Sequence, residues 1–300
     1  MTDESGAIDV IDAHHHIWRQ RDLAWLQGTM QPRIFGPYEP IMRDYLIEEY
    51  LRDIAGLGVR QSVYVQANWP VGQFEQEARW VQQVSQQHGW PQAIVAYADF
   101  TQPDVRPDLD RLAAIEQVRG IRQQFHWHEN PLYRFAVTPD MPLQPQVQRN
   151  IARLADYGWC FELQVFTSQM AAAAALARSC PAVTFVLQHA GMPEDPGEQG
   201  QAAWLAGLAR LAAEPNVVSK TSGLGTFLHR NDPAHIAEIV HQTVRLFGAG
   251  RCLFGSNFPI EKLWTDYAGL LSAHRAALSS LPVTAQRAVL HDTAARIYRL

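Results

Sequence analysis

Cysteine is scarce in this 300-residue chain: Cys160, Cys180 and Cys252 are an odd, scattered set beside apolar runs. None forms a CxxC, which leaves no disulfide framework and reads as buried free thiols in a reducing compartment. No run of about 18 apolar residues occurs, so no membrane-spanning helix is expected. Met1-Thr2-Asp3-Glu4-Ser5 is acidic and polar, the wrong start for a secretory leader, and the cytoplasm is the expected location. No basic run alternates with aromatics, and a formal charge of −5 gives no electrostatic case for a nucleic-acid partner. Linkers, internal repeats and low-complexity tracts are missing too.

What is present is alternation. Short apolar runs rich in Val, Ile, Phe and Tyr read as strands over 8–18, 59–68, 92–100, 118–125, 159–166, 182–190, 216–223 and 251–257. Helical spacing occupies 44–56, 73–88, 109–117, 145–157, 168–179, 201–213 and 233–247, and the tail reads as two further helices over 264–278 and 284–298. Eight strands with intervening helices predict a (β/α)₈ TIM barrel with extra C-terminal helices, a single domain over 1–300. An open, doubly wound sheet is the second choice. It would usually place a glycine-rich phosphate loop after strand one, where Ile17-Trp18-Arg19-Gln20 stands instead.

Two connections are long and aromatic. Residues 19–43 contain Trp25, Met30, Pro32, Phe35, Pro37 and Tyr38. Residues 126–144 contain His126-Trp127-His128 and Tyr133-Arg134-Phe135. Both leave the C-terminal ends of strands, the active-site face of a barrel, and loops of this length are usually functional or lid-like.

Polar residues cluster at strand ends. His14 and His16 form an HxH pair whose side chains share one side of a strand, with His15 pointing away and Asp12 sharing the face of His14 as a support. Such a pair can share a divalent ion, polarise a carbonyl or hold a water; it can equally be a buried, hydrogen-bonded pair. His189 ends the apolar run 183–188, and Asn257 ends 252–256. Glu162 and Gln164 share one face of their strand, and inward polar groups there need partners or a ligand. Lys220, with Ser222, interrupts an apolar run and is a candidate carbonyl or carboxylate partner. Arg122, with Gln124, suits a bidentate carboxylate contact but serves a structural ion pair as well. Gln66 and Asn68 are further substrate-binding candidates, with Gln164, His126, Trp127 and His128.

Taken in order, Asp12-Ala13-His14-His15-His16-Ile17-Trp18, Gly120-Ile121-Arg122, Phe161-Glu162-Leu163-Gln164, His189-Ala190-Gly191-Met192-Pro193, Lys220-Thr221-Ser222-Gly223-Leu224 and Phe254-Gly255-Ser256-Asn257-Phe258-Pro259 resemble the amidohydrolase-2 family. Within it they are similar to the branch of sugar lactonases, sulfomuconolactonase and 2-pyrone-4,6-dicarboxylate lactonase. The resemblance covers nearly the whole chain, down to the final helix around His291-Asp292-Thr293. It implies a distorted (β/α)₈ barrel that opens a cyclic ester by water attack. His14, His16 and His189 would be its histidines, and Arg122 or Lys220 would recognise substrate.

One position departs. The family's last-strand motif usually reads Gly-Ser-Asp, and that aspartate activates water or binds metal; here it is Asn257. An amide is no general base and a poor ligand. Glu162, Glu261 or a histidine would have to replace it, or the chemistry differs. No cofactor is therefore expected to be required. A single zinc or other divalent ion on His14, His16 and His189 stays an alternative.

The expected function is hydrolysis of a small polar lactone from sugar-acid or aromatic catabolism. His14, His16 and Lys220 would face the carbonyl, and His189 and Asn257 would manage the water. Decarboxylation of an aromatic or enol acid and non-catalytic binding of a small molecule are the alternatives. The partners are a small-molecule substrate and, as a candidate, a second copy of the chain in a homodimer.

Overall fold

The computed structural model describes residues 8–31 and 33–300. Met1–Ser5, whose polarity argued against a leader, and Pro32 of the first long loop lie outside the described residues. Eight parallel strands pair in the order β1 to β8: Val10–His15, Val59–Val65, Ala93–Ala96, Val118–Gln124, Cys160–Gln164, Phe185–Leu187, Val217–Thr221 and Cys252–Phe254. Helices α1 to α8 fill the gaps between them, α4 and α5 sharing the one between β4 and β5: Ile47–Asp53, Phe74–His88, Arg106–Ala113, Pro145–Ala152, Leu154–Tyr157, Met170–Ser179, Glu198–Ala212 and Pro233–Phe247. This is the (β/α)₈ barrel, and the open sheet is excluded.

Local chemistry explains the elements. In α2, Ala78, Val81, Val84 and Ser85 recur at helical spacing on the buried side, and Gly89 closes the helix with φ +74°. In α8, the Asp232 carboxylate accepts from the N–H groups of Ala234 and His235, and Pro233 occupies the first turn, where no N–H is needed.

The tail holds α9 (Tyr267–Leu278), α10 (Val283–Arg287) and α11 (Thr293–Tyr298), so the predicted 284–298 helix is interrupted by a wide π turn at Ala288–Asp292. Ala294 and Tyr298 of α11 join Ile11, Val63, Val95, Val186 and Leu253 in the apolar cluster inside the barrel. The last helix thus plugs the barrel interior.

Several strands are shorter than predicted at their C-terminal ends. β6 stops at Leu187 and β8 at Phe254, so His189 and Asn257 stand in turns beyond the ladder. Their apolar neighbours continue the hydrophobic pattern, but the backbone leaves the sheet.

Closure of the barrel is made at those turns. The Asn257 N–H donates to the His14 carbonyl and the His16 N–H to the Phe258 carbonyl, both at 2.7 Å. Below them the buried Asp12 carboxylate accepts from the Ser256 N–H (2.8 Å), the Ser256 hydroxyl (2.6 Å), the His14 N–H (3.1 Å) and the Tyr50 and Tyr267 hydroxyls (3.0 Å each). One side chain therefore joins β1, the β8 turn, α1 and α9. Gly255 permits the approach, since a Cβ there would lie 2.6 Å from the His14 Cβ.

Asp12→Ala leaves several buried donors without an acceptor at once, each costing about 1–3 kcal/mol, so a loss of about 3–5 kcal/mol in urea unfolding is expected. Asp12→Asn, which keeps one acceptor oxygen, should lose clearly less; equal stability of Asp12→Ala and the parent would contradict this account of closure.

Candidate active site

The mouth of the barrel opens into a cavity of about 330 Å³, walled by the two long loops and floored by strand ends. His16, Asn68, Arg122, His126, Gln164, His189 and Asn257 line it. His14 lies fully buried between two of them, its ring 5.1 Å from that of His16 and 4.9 Å from that of His189, centroid to centroid. Residues separated by some 240 positions in sequence thus meet at one place.

β1 reaches this arrangement through an irregularity that corrects one expectation. Ile11 and Ala13 face the barrel interior, and Asp12 faces the helices, where Tyr50 meets it. The pairing with β2 shifts register between Asp12 and His15. After the shift His14 turns into the mouth, and His15 stacks on Tyr50 at 4.0 Å. Asp12 therefore shares its side with His15, and it supports His14 through the backbone N–H.

Hydrogen bonds set the tautomers. The Nδ1 of His16 lies 2.6 Å from the Val65 carbonyl, which can only accept, so Nδ1 carries the proton and Nε2 keeps its lone pair. His189 Nδ1 lies 2.9 Å from the Ser222 hydroxyl. Gly223, φ +62°, leaves room for that ring, since a Cβ would come within 2.5 Å of Nδ1. Both ring nitrogens of His14 are buried without a partner. Asn68, His189 and Asn257 all hold φ between +54° and +62° just past strand ends. Left-handed backbone is tolerated by Asn and strained for His, and such strain concentrates at functional sites.

Burial holds the imidazoles neutral. It pushes His189 and His126 down to about 3, reinforced in both by the Arg122 guanidinium. His14 and His16 are also pushed well below the ordinary range by burial, with Lys220 acting next on His14 and Arg122 next on His16. Burial lowers Arg122 itself to about 10, which leaves it charged at neutral pH.

Arg122 donates to the Gln66 carbonyl and reaches the Gln188 side chain at 3.4 Å. Gln66 accepts from the Asn68 N–H at 2.7 Å and sits behind the wall. Glu162 and Lys220 lie one layer below the cavity, both fully buried, joined at 2.7 Å. Gln188 donates to the second oxygen of Glu162 at 3.0 Å, and the Tyr298 hydroxyl donates to the first. Neither residue lines the cavity. Trp127 and His128 stand outside it as well: Arg134 stacks on Trp127, and His128 packs on Tyr133 and Phe166.

Sequence reasoning missed Arg33 and Phe227, both in the cavity wall. They sit in irregular segments with no period to read; an arginine inside an aromatic loop at the active-site end of a barrel was the available signal. Glu261, named only as a substitute base, is fully buried directly behind Asn257. Its Oε2 accepts from the Trp264 indole at 2.8 Å, and its Oε1 has no partner. Burial raises it to about 8, against weaker opposing contributions from Trp264 and Asn257.

A divalent ion fits this donor set poorly. The imidazoles are neutral donors, but Asn257 beside them offers an amide and no carboxylate, and Arg122 and Lys220 bear on the same rings. Among the described residues no three His, Cys, Asp or Glu side chains are grouped so as to hold a metal.

The sequence model described as Amidohydrolase matches residues 11–300. An uncharacterized protein, y4mH, of Sinorhizobium fredii is 33% identical over 98% of this chain and 99% of its own. An L-fucono-1,5-lactonase of Burkholderia multivorans is 29% identical over 97% of this chain and 96% of its own. A crystal structure of an amidohydrolase from Burkholderia multivorans with bound zinc superposes with a TM-score of 0.81 at 26% identity, covering 97% of this chain and 99% of that one. Among the described residues no helix is long and apolar enough to cross a membrane.

Glu261 carries a pH signature. Folded, it keeps its proton to about 8; unfolded, it loses it near the ordinary 4.5. Between those values the folded state binds more protons, so this group lowers stability as pH rises across the window. The stability of Glu261→Gln relative to the parent should therefore climb from pH 5 to pH 8, measured by denaturant unfolding at each pH. A constant difference would show that Glu261 is ionised throughout.

Proposed function

The chain belongs to the amidohydrolase family, and on that footing we propose that it hydrolyses a small lactone by water attack on the ester carbonyl. The observation that carries the reading is the grouping of His14, His16 and His189 beside Asn257 and Arg122 at the floor of the cavity in the barrel mouth. The lactonase name of the Burkholderia multivorans relative supports it.

In this reading the attacking water sits between the His16 Nε2 lone pair, His189 and the Asn257 amide oxygen. His16 has its one N–H on Val65, so it accepts from water and leaves the oxyanion to others. The carbonyl oxygen lies toward Arg122 and the Asn257 amide N–H, whose charge and dipole stabilise the tetrahedral oxyanion. The water's proton passes to His189 as negative charge grows on the substrate, since an imidazole held neutral gains basicity beside a developing anion. That proton is then delivered to the leaving alkoxide, the ring C–O bond breaks, and a hydroxy acid leaves. Glu162 has its oxygens committed to Lys220, Tyr298 and Gln188, which removes it as a base. Lys220 adds its field to the burial that keeps His14 neutral. No step passes through a metal ion.

The test is a pH-indicator screen of lactones with and without a chelator. Turnover that survives chelation is expected. kcat/KM should show no acid limb near 6.5, because His189 titrates near 3 in the free enzyme; protonation removes its lone pair only below about 4. His189→Ala should cost about 10²–10⁴ in kcat. Full turnover by that variant would remove His189 from the reaction.

A further inference from the structure

Behind Asn257 stands a carboxyl group that neither the attacking water nor the oxyanion meets. Glu261 is fully buried one turn after Asn257, and its N–H reaches the Asn257 carbonyl at 3.3 Å. The Asn257 backbone is pinned from both sides. Its N–H donates to the His14 carbonyl, and its own carbonyl also accepts from the Ile260 N–H at 2.9 Å. The side chain is left to turn, and it lines the cavity. An amide fills the same space either way round, so hydrogen bonding decides which end points where.

Three groups adjoin the Glu261 carboxyl: the Trp264 indole, the Gly225 N–H and the Asn257 side-chain amide. The fit is close, since a Cβ on Gly225 would lie 2.4 Å from the indole nitrogen and 2.7 Å from Oε2. Trp264 bonds to Oε2, and Oε1 is buried without a partner. The charged groups nearby are engaged elsewhere. Lys262, next in sequence, donates to Glu49 and Asp53 of α1. Arg230, in the turn after β7, pairs with Asp232. His229 of the same turn lies 6.1 Å from the Trp264 ring, centroid to centroid, with its Nε2 3.4 Å from the Ile34 carbonyl. Asp266, at the start of α9, accepts from the Gly269 N–H. With no cation to compensate it, a buried carboxyl favours the neutral form, and Glu261 keeps its proton to about 8. Oε2 is occupied, so the proton belongs on Oε1, where it needs an acceptor. The indole can only donate, and the Gly225 carbonyl already accepts from Leu228 and His229. The Asn257 amide oxygen is the acceptor that remains.

We propose that Glu261 is a positioning residue: its carboxyl group fixes which end of the Asn257 amide faces the cavity. As an acid it donates from Oε1 to the amide oxygen. That oxygen has a second lone pair for the attacking water, and the amide N–H groups then point toward the oxyanion. As a carboxylate it accepts from the same N–H groups and draws them away, which leaves the oxyanion to Arg122. Glu261 thus acts through Asn257 and takes no proton from the water. The orientation stands on this packing; its effect on rate rests on the hydrolytic reading.

The first readout is kcat/KM against pH, corrected for spontaneous hydrolysis. The probes are γ-valerolactone and L-fucono-1,5-lactone, the ester in the names of the Burkholderia relatives. The parent should lose activity as pH rises through about 8, well before Arg122 titrates at about 10. Glu261→Ala should lower kcat about tenfold or more with little change in KM, short of the ~10²–10³ expected for removing an oxyanion donor outright. Glu261→Gln can still donate to the amide oxygen and accept from Trp264. It should recover most of that loss and abolish the fall near 8. Adding Glu261→Ala to Asn257→Ala should cost nothing more, because the two act as a unit.

The second readout needs no substrate. The Asn257 side-chain amide resonance, assigned by its absence in Asn257→Ala, should move with a midpoint of about 8 in the parent and stay fixed in Glu261→Gln. Turnover with a fall near 8 that persists in Glu261→Gln, or with a resonance that ignores pH, overturns the positioning role and leaves the lactonase reading standing. Equal losses in Glu261→Gln and Glu261→Ala overturn it too. A resonance that moves while no lactone is turned over overturns the lactonase reading and leaves the orientation standing. A still resonance with no turnover overturns both.

Discussion

The Asp12 carboxylate is the contact on which the rest of the molecule depends. A parallel barrel must bring its first and last strands together, and here the β8 ladder ends at Phe254, before it can pair with β1 over any length. Asp12 supplies the join. It takes two hydrogen bonds from Ser256, one from the His14 N–H, and two from tyrosines of the flanking helices. A buried carboxylate is costly unless its lone pairs are satisfied, so the tyrosines and Ser256 are as necessary to Asp12 as Asp12 is to closure. The same contact holds Asn257 against the His14 carbonyl, so the geometry of the mouth follows from how the barrel is shut.

Above that join the interior is layered by polarity. Apolar residues and the Tyr298 plug fill the bottom, the Glu162–Lys220 pair occupies the middle, and the histidines and Arg122 form the top. The middle layer is stable only because every partner is present: Lys220 has Glu162, and Glu162 also has Gln188 and Tyr298. Burial, reinforced by the charges of Lys220 and Arg122, keeps the imidazoles above it neutral. The π turn before α11 matters in this light, because it precedes the short helix that carries Tyr298 to Glu162 from the far end of the chain.

Much of this was legible in advance. Cys160, Glu162 and Gln164 face inward and Phe161, Leu163 and Val165 outward, as period-two alternation requires, and every strand candidate contains a strand. Alternation failed where the pairing did. It placed Asp12 beside His14, whereas a register shift puts Asp12 and His15 on the helix side and His14 in the mouth. Lys220 read as a substrate contact because an unpartnered lysine in an apolar strand invites one; its partner lies 58 residues away. Arg33 gave only the signal of an arginine inside an aromatic loop, since an irregular loop has no period.

The sequence by itself determined the barrel and the set of strand-end residues with chemical capacity. Those follow from local geometry: the two-residue period of a strand, the helical repeat, and the chemistry of single side chains. Tertiary structure alone decided which of those residues share the cavity and which are consumed as one another's partners. Each of these depends on distances between segments far apart in the chain. Such distances are set by how the sheet closes and how the loops fold over its mouth, and no local pattern encodes them.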